Sequence, residues 1–276
     1  MDSFPRTIVG GLSLPRLLIG SNWLLGYSHT SLAKDKFIKD YQTRERITAI
    51  LRVFLSYGID AVMGPSSDHL ENAVQDAEQQ TGHKMIRIWT PAFSLTGGAP
   101  EDQPEAVFDR AQKLNATFCM PHQQVTDALV DRITQTIRDI DKYTRMIRER
   151  GMIPGLSTHM PESIIYADKT GADVESYVQL YNAAGFLMQV EVDWVMRVIQ
   201  NAKKPVMTIK PLAAGRLMPV VGLAFAWNTI RPQDMVTIGT TTPDEAKECI
   251  ELSLDLLAHQ APDYELQKTR SKKSLE

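Results

Sequence analysis

Two histidines and a lysine stand where short apolar runs stop: His122 after Met120 and Pro121, His159 after Thr158, and Lys210 after Ile209. Imidazole titrates near neutral pH, so two such rings facing one pocket can serve as acid and base, or bind a metal in their neutral form. A lysine set among Ile209, Pro211 and Leu212 is partly stripped of water. That lowers its amine pKa and suits it to imine formation or proton abstraction, whereas a retained ammonium is a fixed charge for a phosphate or carboxylate. No third residue with metal-ligand spacing accompanies the histidines, so a metal is not expected; Glu162 reads as an acid of a helix first turn, favoured by the helix dipole. Asn22, Met63, Thr90, Asn182 and Thr240 end other apolar runs, and Arg216, just past Gly215, adds a second cation. Trp23, Tyr27, Trp89 and Phe93 lie beside these ends and are able to floor a sugar or a ring. His29, His69, His83 and His259 read as loop or surface residues without a role.

What must position these side chains is a repeating unit. Eight apolar runs, at 16–20, 59–63, 85–90, 116–120, 152–157, 177–181, 205–209 and 235–239, alternate with segments of helical period. The helices are expected at 43–57, 68–80, 105–114, 134–150, from 161 onward, 190–201, 221–230 and from 242 onward. The run at 177–181 is the least distinct, because 173–179 also fits a helix. Strand and helix in strict alternation specify an α/β fold, a (β/α)8 TIM barrel, whose chemistry sits at the carboxyl ends of its strands. One domain over 1–261 and a charged tail over 262–276 follow.

Composition narrows the partners. The 30 basic and 33 acidic residues give a net charge of −3, so counterion release gives no grip on nucleic acid. No window reaches the roughly 20 apolar residues that span a bilayer, and the first residues lack the basic and apolar order of a signal peptide. A cytoplasmic protein acting on a small molecule is expected, with Cys119 and Cys249 as reduced, buried thiols. Neither charge nor patterning specifies an oligomeric state.

The segments KPLAAGRL from Lys210, GLAFAWNTI from Gly222 and MVTIGTTTPDEAKECIEL from Met235 resemble, in order and spacing, the "SPLG-G-L", "ALAW" and "IPGTTSPEHLEEN" blocks of the aldo-keto reductase superfamily. Gly58-Ile59-Asp60, Gly155-Leu156-Ser157-Thr158 and Gln179-Leu180-Tyr181-Asn182 agree more faintly with further blocks. The resemblance implies a barrel with a nicotinamide cofactor, NADP among the choices, and a catalytic Asp, Tyr, Lys and His. Laid on this chain, those four fall on Met63, near Asp68, on Pro91 and on His122, so only the histidine is retained. Ser157 and Gln179 match residues that hold the nicotinamide amide, while Thr158 replaces an Asn and Ile209 a stacking Tyr. Gly239, Thr240 and Thr241, before a helix, imply a phosphate site from backbone amides; Glu248 matches, and Cys249 replaces an Asn. The expectation is a divergent member acting on a small hydroxylated or carbonyl-bearing anionic metabolite through His122, His159 and Lys210, with Asn22, Ser157, Gln179, Arg216, Gly239, Thr240 and Thr241 binding substrate or cofactor. A Schiff-base lyase or aldolase using Lys210, a metal-dependent isomerase, and a non-catalytic metabolite-binding barrel are the alternatives.

Overall fold

The computed structural model describes residues 3–262. The charged tail expected at 262–276 therefore lies, after its first residue, outside the described residues. Strands β1 (Arg6–Val9) and β2 (Leu12–Pro15) form an antiparallel hairpin. The chain then runs through β3 (Leu17–Gly20), α1 (Asn22–Leu25), α2 (Leu32–Tyr41), α3 (Arg44–Ser56), β4 (Ala61–Gly64), α4 (Asp68–Thr81), β5 (Ile86–Trp89) and α5 (Pro104–Lys113). It continues with β6 (Phe118–Cys119), α6 (Gln123–Leu129), a second hairpin of β7 (Val130–Asp131) and β8 (Thr136–Ile137), α7 (Ile140–Glu149), β9 (Ile153–Pro154), β10 (Leu156–Thr158) and α8 (Glu162–Thr170). The last third comprises β11 (Tyr177–Leu180), α9 (Val192–Asn201), β12 (Val206–Ile209), α10 (Pro219–Thr229), β13 (Met235–Ile238) and α11 (Pro243–Leu257).

Parallel pairing runs β10-β11-β12-β13-β3-β4-β5-β6-β9. Because β9 and β10 are two halves of one strand joined at Gly155, the sheet returns to its start and closes as an eight-stranded barrel. Around the joint, the Gly155 N–H donates to Cys119 O at 3.4 Å and the Leu156 N–H to Ser176 O at 3.1 Å, so this strand serves both neighbours. A side chain has no room there, since a Cβ on Gly155 would lie 2.7 Å from Met120 Cε and 2.8 Å from Ser176 O. Gly155→Ala is therefore expected to cost about 1–3 kcal/mol by overpacking, read from the denaturant midpoint.

Strand alternation divides the core in two. Leu18, Ala61, Met63, Ile88, Phe118, Val178, Met207 and Met235 fill the barrel, and Val9 and Leu14 of the first hairpin join them. That hairpin was absent from the sequence reading, although Gly10 and Gly11, at φ 55° and 81°, are the turn its pattern needs. Residues of opposite phase, such as Leu17, Val62, Trp89 and Val236, pack against helix stripes like Ile47, Ile50, Leu51 and Phe54 of α3. Trp89 and Phe93 belong to this outer layer and not to the mouth. The Trp89 indole N–H donates to Leu114 O at 2.8 Å, and the Phe93 ring sits 5.3 Å from Phe108 and 4.7 Å from Tyr143.

One expected helix is shorter than its period suggests. Instead of 134–150 it begins at Ile140, because Asp131 Oδ1 accepts the Ile133 and Thr134 N–H groups and so starts the β7–β8 turn, and Gln135 and Asp139 take left-handed backbone at φ 55° and 56°. Ile137, Ile140 and Ile147 are nonetheless buried as the apolar spacing required. The segment 177–181 is a strand, both cysteines are buried and free, and among the described residues no helix is long and apolar enough to cross a membrane.

Candidate active site

A cavity of about 1260 Å³ opens at the carboxyl ends of the barrel strands. Its floor is the uppermost inward layer, with Met63, Thr90, Ser157, Val178, Ile209 and Thr237; Asn22, Trp23, His29, His122, His159, Lys210, Arg216, Gly239 and Thr240 form the walls. His122, His159 and Lys210 thus share one opening, as the barrel geometry required.

Lys210 follows β12 in left-handed backbone, φ 59°, with Ala213 and Ala214 also left-handed behind it. Such a turn costs energy in residues other than glycine and persists only where its surroundings hold it. Lys210 Nζ lies 3.1 Å from His29 Nε2, and His29 Nδ1 lies 3.1 Å from Tyr27 O. A carbonyl only accepts, so Nδ1 carries the His29 proton and Nε2 receives a hydrogen bond from Lys210. Burial lowers the Lys210 amine to about 8. His29 is also lowered, by burial first and by the Lys210 charge second, against the Tyr27 carbonyl and Asp35. Sequence reasoning left His29 without a role because it stands nine residues beyond β3; only the return of the α1–α2 connection over the mouth brings it to Lys210.

His122 caps α6 with its own ring, Nδ1 accepting the Gln124 N–H at 3.3 Å. Its neutral form therefore carries the proton on Nε2, the edge left to donate. Burial lowers its pKa, and Lys210 lowers it further. His159 is the most perturbed of the three, brought to about 4 by burial first and then by the charges of Lys210, His122 and His29. Its backbone is anchored by Asp127, whose Oδ2 accepts the His159 N–H at 3.1 Å while Oδ1 accepts the Thr158 hydroxyl. Burial raises the Asp127 carboxyl despite these bonds. Asp127 lies in α6, a helix the sequence reading did not separate from its surroundings.

Two expected binding residues, Gln179 and Thr241, sit differently. Gln179 was expected at the nicotinamide amide, but Val178 is the residue of β11 that faces the barrel, and the pleat turns Gln179 toward the helices. It is 1% exposed, with Nε2 on Leu180 O at 3.2 Å and Oε1 without a partner. Thr241 was expected in a phosphate cradle; instead its N–H and hydroxyl both donate to Glu245, at 2.6 and 2.7 Å, and Thr242 accepts the Glu245 N–H at 3.1 Å. The Thr242 hydroxyl thus caps α11, and Glu245 reaches back one residue further to hold Thr241. Arg216 lines the cavity as an exposed residue, its guanidinium 3.9 Å from the Phe186 ring and donating to Ala213 O at 3.1 Å. Asn22 and Ser157 do line the cavity, Thr240 faces it, and Gly239 leaves the space of its missing Cβ to Trp23, whose Cδ1 would be 2.7 Å away.

Here Glu245 already holds the Thr241 N–H that a phosphate at this position would use. Among the described residues, no group of three or more His, Cys, Asp or Glu side chains is placed to hold a metal.

No known family model matches the sequence, and no curated protein matches it. Solved structures do match. A protein of Pseudomonas aeruginosa assigned to the aldo-keto reductases is 14% identical, with a TM-score of 0.64 over 93% of this chain and 98% of that one. The aldo-keto reductase of Klebsiella pneumoniae in complex with NADPH is 13% identical, with a TM-score of 0.57 over 100% and 94%. Orotidine 5′-monophosphate decarboxylase of Methanocaldococcus jannaschii, 14% identical, follows at 0.53 over 87% and 98%. At such identities the likeness is one of fold, and that fold is an aldo-keto-reductase-like (β/α)8 barrel.

Proposed function

We propose that the protein is an enzyme that moves a proton on a small, anionic, hydroxylated or carbonyl-bearing metabolite held at the barrel mouth, without the tyrosine and lysine of the reductases. The observation that carries this is the Lys210–His29 bond beside His122 and His159. Four nitrogen bases share one opening, and among the described residues no carboxylate pairs with the Lys210 amine or the His122 or His159 ring. An ammonium left uncompensated in a half-dry pocket attracts an anion. Met63 and Pro91 stand where the resemblance implies an Asp and a Lys, and Asp68 is exposed on α4, 3.8 Å from Arg110, so none of them donates a proton in the mouth.

In this reading Lys210 holds the charged group or the carbonyl oxygen of the substrate. His159, neutral at physiological pH, takes a proton from the carbon beside the carbonyl; the electron pair moves onto the oxygen that Lys210 stabilises and to which neutral His122 donates a hydrogen bond from Nε2, and as the pair returns the His159 imidazolium, its proton exchanged with water, gives one back to the carbon. Binding strengthens the base. An anion that cancels the Lys210 charge removes one cause of the depressed His159 pKa, so basicity rises as the substrate arrives.

A panel of hydroxy and keto acids in deuterated water, followed by proton NMR, tests the reading. Wild-type protein is expected to catalyse exchange at the carbon beside the carbonyl for one group of compounds, and His159→Ala to lose it. An amine at about 8 is also about one-tenth uncharged at pH 7, enough to attack a carbonyl. A borohydride-trapped adduct on Lys210 would move the assignment to an imine-forming lyase. Binding with neither exchange nor adduct would leave a barrel that binds a metabolite without turning it over.

A further inference from the structure

The wall next to Lys210 carries an unmet demand for hydrogen bonds. Thr237 and Thr240 are 5% and 4% exposed, both line the cavity, and neither hydroxyl has a partner. Buried hydroxyls are almost always satisfied, because leaving one unpaired forfeits its hydration without return. Pairing of Thr208 with Val236 sets β12 beside β13, so Lys210, two residues past Thr208, stands level with Ile238, between the two threonines on the next strand about 5 Å away. On the same wall the Trp23 ring lies against Gly239 and offers an apolar face of the kind that packs on carbon-bound hydrogens. Glu245 and Glu248 border this wall, which disfavours a second anionic group there.

We propose that Thr237, Thr240 and Trp23 form a subsite for the hydroxylated chain of a polyhydroxylated anion, a sugar acid or a sugar phosphate, whose single charged group rests on Lys210. This rests on the anion-binding reading of Lys210 and adds the class of molecule attached to the charge. The hydroxyls of such a chain both donate and accept, so each threonine gains the partner it lacks, while the ring of Trp23 covers the chain's apolar edge. A simple carboxylate or inorganic phosphate satisfies Lys210 and leaves the threonines unpaired.

Calorimetric titration of the full chain with five- and six-carbon aldonates and uronates, the corresponding sugar phosphates, the neutral sugars, acetate and inorganic phosphate separates the possibilities. At least one polyhydroxylated anion is expected to bind tenfold or more tighter than acetate and phosphate, and the carboxylate and phosphate arms identify the charged group. Thr237→Val and Thr240→Val are each expected to lose most of that advantage, to bind acetate and phosphate as wild type does, and to melt at or above the wild-type temperature, since a methyl replaces an unpaired hydroxyl. Polyhydroxylated anions that bind no tighter than acetate and phosphate would overturn the subsite and leave the Lys210 reading standing. A neutral sugar binding as tightly as its acid, or Lys210→Met binding every anion as wild type does, would instead overturn the Lys210 reading. Valine variants that melt lower would show the hydroxyls to be paired and would overturn the subsite as well.

Discussion

Lys210→Met is expected to lower kcat/KM by about 10²–10³-fold, the range for removing one group that stabilises a developing oxyanion, and at the same time to raise the pKa of His159. The second effect needs no substrate. In the wild type, burial is the larger cause that brings His159 to about 4, and the ammonium of Lys210 is the next. Removing the charge while keeping the buried stem lets the value climb, yet keeps it under the ordinary 6.5 because burial persists. His122 and His29, each lowered by the same ammonium after burial, should move upward too. Histidine proton chemical shifts followed from pH 3 to 9 in both proteins measure this, and unmoved imidazole values in the variant would detach Lys210 from the histidines. Linkage gives a matching stability signature. A histidine whose folded pKa lies below its unfolded one is protonated more readily in the unfolded chain, so stability is full above about 6.5 and is lost as pH falls toward about 4. At about 1.4 kcal/mol per unit the wild-type loss is about 3 kcal/mol, and Lys210→Met should lose less over the same interval.

How far the chain could be read without coordinates depended on which property each residue declared. Parallel strands buried on both faces, such as Leu17–Gly20 and Val206–Ile209, read as unbroken apolar runs, and the barrel followed from their number and spacing. The short hairpins did not declare themselves, since two-residue strands such as Val130–Asp131 and Thr136–Ile137 carry too few residues to show a period, and Ile137 with Ile140 imitates a helical stripe. The meeting of His122, His159 and Lys210 at one cavity was legible because a strand end in a barrel is a position in space as well as in sequence. His29 was not, because it reaches the mouth through a connection whose path is set by packing, and Asp127 was not, because it holds the His159 N–H from the short helix α6. Gln179 shows a third kind of failure. A similar motif supplied the residue type but not the phase of the pleat, and with a period of two a shift of one residue exchanges the barrel face for the helix face.

Arg87→Met is expected to destabilise the protein by about 3–5 kcal/mol, the usual consequence of stripping one partner from a buried ion pair, and to reduce its loss of stability in acid. Arg87, 6% exposed on the outer face of β5, donates from Nη2 to Glu71 Oε1 at 2.9 Å, from Nη1 to Glu78 Oε1 at 2.7 Å and to Met85 O at 2.8 Å. Both acids belong to α4 and are themselves buried, so the guanidinium fastens this helix to the strand that carries Thr90 to the cavity floor. Burial alone would raise Glu78, yet the bonds from Arg87, the Met85 N–H and Lys84 outweigh it and hold the carboxyl below its usual range. In the wild type that group therefore stabilises the fold above about 4.5, its ordinary value, and the contribution disappears as pH falls through the folded value. With Met at position 87 the balance shifts, because the buried Glu78 carboxylate keeps only exposed Lys84 and the Met85 N–H and takes up a proton more readily. The variant should then lose less stability than the wild type on going from pH 7 to pH 5, an interval over which His159 weakens both proteins. Urea midpoints at both pH values decide it, and adding Glu71→Gln and Glu78→Gln to Arg87→Met should restore part of the loss at pH 7. A variant that weakens in acid as the wild type does would mean that water reaches these carboxylates and that the guanidinium is not their principal partner.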